Sequence, residues 1–338
     1  MQLDNKPPNA SKEPRQKSRR PKMPRWWWAL LVLSVGTAFT ALALSKTTST
    51  ATENPNPPSK SRAAAPVSGE NAGSGTENVS AIPVTSPRYR TYELMQATVH
   101  VVSIPVGTPL SVAVADELTT VKDFAQQEEA FVVLNAGFFD PQNAKTTSHL
   151  MTNGQSAGNP ADNDRLTGNP DLQAYLPQIL DRSEFRVYQC ESSETLRYDI
   201  TFHSTVLPNK CDIVSSVGAG PRLLPENTST VEAFTSYEDG ELVRDAIGSV
   251  QPNARSAIAL TADESLLLIM VAQRYDADGM TLVELSEFAE FLGATELLNL
   301  DGGSSSSLYF DGQTHLGRLD ANGYPVERPV KSVIVVGK

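Results

Sequence analysis

Between Trp26 and Ser45 the chain reads WWWALLVLSVGTAFTALALS, twenty residues without a charge. As a helix this stretch spans about 30 Å, the depth of a bilayer's hydrocarbon core. Three tryptophans, Trp26 to Trp28, stand at one end, where indole rings favour the headgroup boundary. The 25 residues before it hold eight basic side chains against Asp4 and Glu13, a net of +6. Positive flanks stay in the cytoplasm, so everything after Ser45 is expected outside it. Ala41-Leu42-Ala43 offers a signal-peptidase-like alternative, but the apolar run exceeds the usual 7–15 residues or so of a cleaved leader. The expectation is a single-pass anchor in the inner cell membrane, residues 26–45, behind a cytoplasmic tail, residues 1–25. The membrane is then one partner of the chain, and the main domain is periplasmic.

Charge sharpens this division. The whole chain carries 28 Lys and Arg against 39 Asp and Glu, a net of −11, so the part beyond residue 25 carries −17. Such a field collects no phosphate backbone, and nucleic acid is excluded as a partner. Residues 46–87 are Ser, Thr, Pro, Ala, Asn and Gly with almost no large apolar side chains. They read as a disordered linker with a reach of about 35 Å. The folded part is expected over 88–338, about 250 residues, as one domain.

Within it, β-like runs recur at 97–104, 110–115, 131–135, 196–202, 265–272, 296–300 and 332–336. Several are continuously apolar, as for strands covered on both faces. One helix is well marked: Thr281 and Glu284 form a capping-box pair, Leu282, Leu285, Phe288, Ala289 and Leu292 follow at helical spacing, and Gly293 ends it. The fold class expected is α+β, a single domain with a mixed β-sheet and few helices, preceded by a transmembrane helix and disordered linker. Cys190 and Cys211, alone in an exported region, predict a structural disulfide that closes a loop worth about 3 kcal/mol.

Chemistry concentrates in four motifs. Asn299-Leu300-Asp301-Gly302-Gly303-Ser304-Ser305 puts a carboxylate at a strand end, beside glycines and serines able to form an anion-binding nest. An ordinary Asp-Gly turn between strands has the same local sequence. Asn135-Ala136-Gly137-Phe138-Phe139-Asp140 suits a pocket that stacks on a sugar ring and bonds its hydroxyls, or a strand-end turn with core phenylalanines. Gly218-Ala219-Gly220-Pro221-Arg222 pairs a turn with a cation, and Asn253-Ala254-Arg255 offers a guanidinium fork for a phosphate or carboxylate. Gly154-Gln155-Ser156-Ala157-Gly158 matches a nucleophile elbow in letters only, because a polar loop and Asn159-Pro160 follow it. Asp276-Ala277-Asp278-Gly279 lacks the later Glu of a calcium loop, and the four histidines have no zinc spacing, although His149 stays near the Asn135 motif. Neither a metal nor a cofactor is expected.

The four motifs, in this order and separation, resemble the phosphodiester glycosidase family, in its uncovering-enzyme-like form and most closely in cyanobacterial versions. The resemblance spans roughly residues 90–338, with one departure: Ser304 stands where a third glycine is usual. It implies a hydrolase that cleaves the sugar C1–O bond of a glycosyl phosphodiester, here of an envelope glycan or exopolysaccharide. Asp301 is then expected to act on the sugar, with Arg255 and the Gly302–Ser305 backbone on the phosphate. Asn135 and Asp140 would bind hydroxyls, and Gly137, Phe138, Gly220, Arg222, Asn299 and Ser304 would complete the substrate site. A phosphate leaves as an anion, so a second carboxyl acid is dispensable. Two other readings use the same residues: a non-catalytic glycan-binding module, and a phosphodiesterase that attacks phosphorus.

Overall fold

The computed structural model describes residues 86–193 and 195–337. The expected tail and anchor, and almost all of the linker, lie outside the described residues. Among the described residues no helix is long and apolar enough to cross a membrane.

Three β-sheets surround one apolar core. The first runs β1 (Arg88–Glu93), β2 (Thr98–Ile104), β14 (Leu266–Ala272), β13 (Arg255–Thr261), β15 (Ala294–Asn299) and β10 (Arg222–Leu224). The second runs β17 (Gln313–Leu316), β16 (Ser307–Phe310), β4 (Ala130–Asn135), β18 (Val330–Gly337) and β3 (Leu110–Thr119). The third runs β6 (Gln155–Gly158), β5 (Leu150–Thr152), β9 (Cys211–Gly218), β7 (Ser183–Cys190) and β8 (Arg197–Phe202). A separate hairpin joins β11 (Thr235–Glu238) to β12 (Glu241–Asp245). The α-helices are few and short: α1 (Val121–Gln127), α2 (Asp164–Thr167), α3 (Leu176–Leu180) and α4 (Leu282–Phe291).

Strands β13 and β14 explain the continuous apolar runs. Their alternate side chains enter two different cores. Ile258, Leu266, Leu268 and Met270 meet Leu134 and Ile334 of the second sheet and Phe185 and Val217 of the third. Ala257, Ala259, Leu267 and Ile269 face the other way, onto Leu282, Leu285, Phe288 and Ala289 of α4. The outer face of the second sheet is covered in the same manner by Val121, Phe124 and Ala125 of α1. Helix α4 begins with the expected reciprocal cap: Glu284 N–H donates to Thr281 Oγ1 at 3.2 Å, and Thr281 N–H donates to Glu284 Oε2 at 2.8 Å.

The expectation of a mixed sheet is corrected. Every strand pair among the described residues is antiparallel. β14 and β15 do run the same way, joined by the α4 crossover, but β13 lies between them and pairs antiparallel with both. Gly154 to Gly158 turns out to be part of the β5–β6 hairpin, with Ser156 opposite Met151, so no nucleophile elbow exists there. Cys190 and Cys211 are bonded, and they are register partners across β7 and β9.

Two substitutions grade this packing. Leu268→Ala, wholly buried in β14, should lower the unfolding free energy by about 3 kcal/mol. Thr281→Ala, which removes only the α4 cap, should cost about 1 kcal/mol. Urea titrations of both variants against the parent protein measure the difference.

Candidate functional site

A buried amide joins the first and second sheets. Asn135, at the end of β4, donates through Nδ2 to the carbonyl of Asp301 at 2.6 Å. Its Oδ1 accepts from Ser256 Oγ of β13 at 2.7 Å and from the Ser307 N–H at the start of β16 at 3.0 Å. Asp301 N–H in turn donates to Ala136 O at 2.9 Å, and Leu300 N–H donates to Ser256 O at 2.8 Å. The turn after β15 is therefore held on both sides, and the Asp301 side chain is aimed into a cleft.

That cleft has a volume of about 270 Å³ and is lined by Phe138, Ile247, Asn253, Asn299, Asp301 and Gly303, among others. Asp301 is its sole carboxylate among the described residues. Burial pushes the Asp301 carboxyl up from 3.8 to about 6, because an ionised group loses hydration there. Ser305, the positive charge of Arg328 and the Gly302 N–H pull the other way without overcoming it. Arg328 Nη1 donates to Ser304 Oγ at 2.7 Å, and its guanidinium lies 5.2 Å over the Phe139 ring. The serine in place of a third glycine thus anchors a cation beside the carboxylate. Arg318 guards the other side: its Nη1 donates to Asn253 Oδ1 at 3.3 Å, and a side chain built on Gly303 would come within 3.9 Å of it. Gly303 has a φ of +61°, and its N–H donates to Ala254 O at 2.8 Å.

Several expected roles change. The backbone nest of residues 302–305 is largely consumed by the turn itself: Gly303 N–H bonds Ala254 O, and Ser305 N–H bonds Gly302 O at 3.2 Å. Arg255 is 2% exposed and has little to offer an anion. Its guanidinium donates to four carbonyls, of Met280 (3.0 Å), Ile247 (3.1 Å), Gly248 (2.6 Å) and Gln251 (2.8 Å). Burial holds it down, to about 10, so its work is to fold the 247–251 loop over the cleft. Asn135 is likewise occupied by the three bonds described, not free for a sugar hydroxyl. Asp140 pairs with Arg165 at 2.6 Å and accepts from Gln142 N–H, away from the cleft lining.

Arg222 also points elsewhere. Its guanidinium lies 5.5 Å over the Phe202 ring of the third sheet, and its charge acts on Glu296. Gly220, at φ +114°, packs so closely on Glu232 and Phe234 that no side chain fits. Glu232 holds this turn, accepting from Ser183 N–H (2.9 Å), Ser183 Oγ (2.8 Å), Arg222 N–H (3.0 Å) and Thr228 Oγ1. Gly137 is buried, its N–H donating to Ser332 Oγ at 3.1 Å. His149 stacks on His203, ring centroids 3.5 Å apart, in the third sheet and outside the cleft.

The structure therefore brings Phe138, Arg255, Asn299, Asp301, Gly302 and Gly303 into the cleft lining, with Ser304 and Ser305 in the same turn, and leaves Asp140 and Arg222 apart. Asn299 is fixed by Nδ2 donating to Gly220 O at 2.8 Å, while its buried Oδ1 has no partner. Arg318, Arg328 and Asn253 were not singled out from the sequence. Asn253 opens the Asn-Ala-Arg motif and was legible there. The two arginines lie in GRLDANGYPVERPV, which carries no motif of its own.

A profile of the phosphodiester glycosidase family matches residues 128–337. The fold is similar to that of the zebrafish N-acetylglucosamine-1-phosphodiester alpha-N-acetylglucosaminidase catalytic domain, solved in a form auto-inhibited by its pro-peptide. The identity is 16% and the TM-score 0.56, over 77% of this chain and 85% of that one. A Burkholderia pseudomallei K96243 protein is similar at 15% identity and a TM-score of 0.51, over 72% of this chain and 74% of its own. No curated protein sequence matches the chain.

The raised Asp301 carboxyl makes a stability prediction. A carboxyl whose folded pKa lies above its unfolded one favours the fold when protonated and loses that advantage as pH rises from 3.8 to about 6. Asp301→Asn should therefore stabilise the protein at pH 7, by up to about 3 kcal/mol, and leave it nearly unchanged at pH 3. Asn135→Ala should do the opposite at every pH, since it strands buried partners, at a cost of about 3 kcal/mol or more. Thermal and urea unfolding at the two pH values distinguish them.

Proposed function

The chain belongs to the phosphodiester glycosidase family, and from that membership we propose that it hydrolyses glycosyl phosphodiesters at the sugar C1–O bond, with Asp301 as the carboxylate on the sugar side. The observation that carries this is the pairing of one desolvated carboxylate with a cation held beside it on Ser304. Hydrolysis of an ordinary glycoside needs a second carboxyl to protonate an alkoxide leaving group. A phosphomonoester departs as an anion without that help, and the sole carboxylate of the cleft then suffices.

The steps balance without further groups. Ionised Asp301 takes a proton from the water that attacks C1, or itself attacks C1 to give a glycosyl ester, whose bond from C1 to Asp301 water then breaks. The C1–O bond breaks with its electron pair moving to the phosphate oxygen. Water supplies the hydroxyl of the free sugar, and its other proton passes to Asp301 and then to solvent. Arg328, with Arg318 across the turn, offsets charge that grows on the departing phosphate. Asn299 Oδ1 is oriented to accept from a sugar O–H or N–H. Phe138 supplies an apolar face for the ring. On the sequence evidence of Trp26–Ser45, the reaction takes place on envelope glycans outside the cytoplasm, with the domain tethered to the membrane.

Hydrolysis in oxygen-18 water tests the bond assignment. Label in the sugar is expected, whereas label in the phosphate means attack at phosphorus and overturns the reading. Asp301→Asn should lower kcat by roughly 10³-fold with the fold intact. In the parent protein kcat/KM should fall as pH drops below about 6, as the carboxylate is protonated. Arg328→Met removes a charge that favours the carboxylate, so it should move this acid limb to higher pH and lower kcat by roughly 10²-fold. A pH–rate profile of the three proteins reads all these effects.

A further inference from the structure

Three of the most exposed apolar side chains of the described residues gather on loops that are tied to one another, one of which carries Arg318. Tyr275 is 92% exposed, Met95 92% and Tyr324 69%. None of the three loops is loose. Arg274 donates to Leu94 O, to Met95 O at 3.0 Å and to Asp276 Oδ1 at 3.1 Å, which binds the 94–95 turn to the 273–278 loop. Gln273 accepts from Leu319 N–H at 3.1 Å, and Gln273 N–H donates to Gly317 O at 2.7 Å, which binds that loop to the segment 317–326. Asp320 Oδ1 accepts from Tyr324 N–H at 2.9 Å, and a side chain built on Gly323 would come within 3.3 Å of the Tyr275 ring.

The same segment carries Arg318 at its start and ends near Arg328. Val326 N–H donates to Arg318 O at 2.8 Å, so Tyr324 stands two extended residues, about 7 Å, from the backbone of an arginine at the cleft mouth. Aromatic rings with open faces, carried on backbone tied down in this way, suit the C–H faces of sugar rings. Asp276, Asp278 and Asp320 stand in the same two loops and carry acceptor oxygens of the kind that sugar hydroxyls bond. Those carboxylates also repel anionic lipid headgroups, and disfavour a membrane as the occupant.

We infer that Tyr275 and Tyr324 form a second glycan-binding site, which takes the sugar residues attached to the far side of the phosphodiester. The inference rests on the hydrolytic reading of the cleft and extends it: the substrate is an oligosaccharide or polymer bearing the glycosyl phosphate, not a small diester.

The test compares two diesters of one glycosyl phosphate, with methanol or with maltotetraose as the second alcohol. In the full chain, the double variant Tyr275→Ala and Tyr324→Ala should raise KM for the tetrasaccharide ester roughly tenfold. Its kcat on that ester, and both constants on the methyl ester, should stay unchanged. Tyr275→Trp with Tyr324→Trp should keep the parent KM, since the stacking faces remain. Equal KM for both esters in parent and double variant overturns the site. Should neither ester be turned over, the hydrolytic reading fails separately, and saturation-transfer NMR with maltotetraose, cellotetraose and chitotetraose decides the site alone. Transfer that disappears in the double variant supports it. Absent transfer, or transfer indifferent to the tyrosines, overturns it, as does self-association of the parent that the double variant abolishes without any glycan effect.

Discussion

The amide of Asn135 is the contact on which the site depends. Its three bonds reach partners 166, 121 and 172 residues away in the chain. They close the second sheet onto the first at the single place where β4, β13, β15 and β16 end or begin together. A buried amide with every bond made is strongly directional, and one left unmade costs the full desolvation of its partner. Apolar packing between the sheets supplies most of the stability, but it does not specify where Asp301 points. The amide does.

Charge is organised around the same turn. Beyond residue 25 the chain is strongly acidic, so an anionic ligand would need cations that are local and fixed. Arg328, lodged on Ser304 and over Phe139, meets that need beside Asp301. In the proposed reaction the two negative charges need not compete, because the ligand's would face the arginines and not the Asp301 carboxylate. Arg255 and Glu232 have a different role. Each is buried and held by several hydrogen bonds; Arg255 ties down the 247–251 loop, whose Ile247 lines the cleft, and Glu232 fixes the turn around Arg222. A buried charge held in this way has a structural part to play, and removing its hydrogen-bond partners would leave it unsolvated at high cost.

Local pattern predicted much of the frame. All seven apolar runs read as strands coincide with strands, and α4 starts at the capping pair Thr281 and Glu284. These features depend on neighbours within a few residues, where periodicity and capping act. Strands such as β5, β6 and β9, with sequences LMT, QSAG and CDIVSSVG, were invisible because they are short, polar or broken by serine, and pairing alone holds them. The antiparallel arrangement was missed for a related reason: a β14–α4–β15 crossover looks the same whether or not another strand is inserted between its ends.

The residues alone identified the family resemblance, the disulfide partners and Asp301 as the carboxylate in the motif, all of which follow from residue type and spacing. Which motif side chains are free and which are already engaged was decided by the packed chain. Arg255 and Asn135 looked like ligands because their side chains carry the right groups, yet those groups are taken up by backbone carbonyls and by the turn around Asp301. Arg318 and Arg328 looked like nothing, and stand beside the Asp301 turn because the segment between β17 and β18 bonds to Asn253 and Ser304. Hydrogen-bond valence is limited, and the competition for it is resolved between groups far apart in the chain.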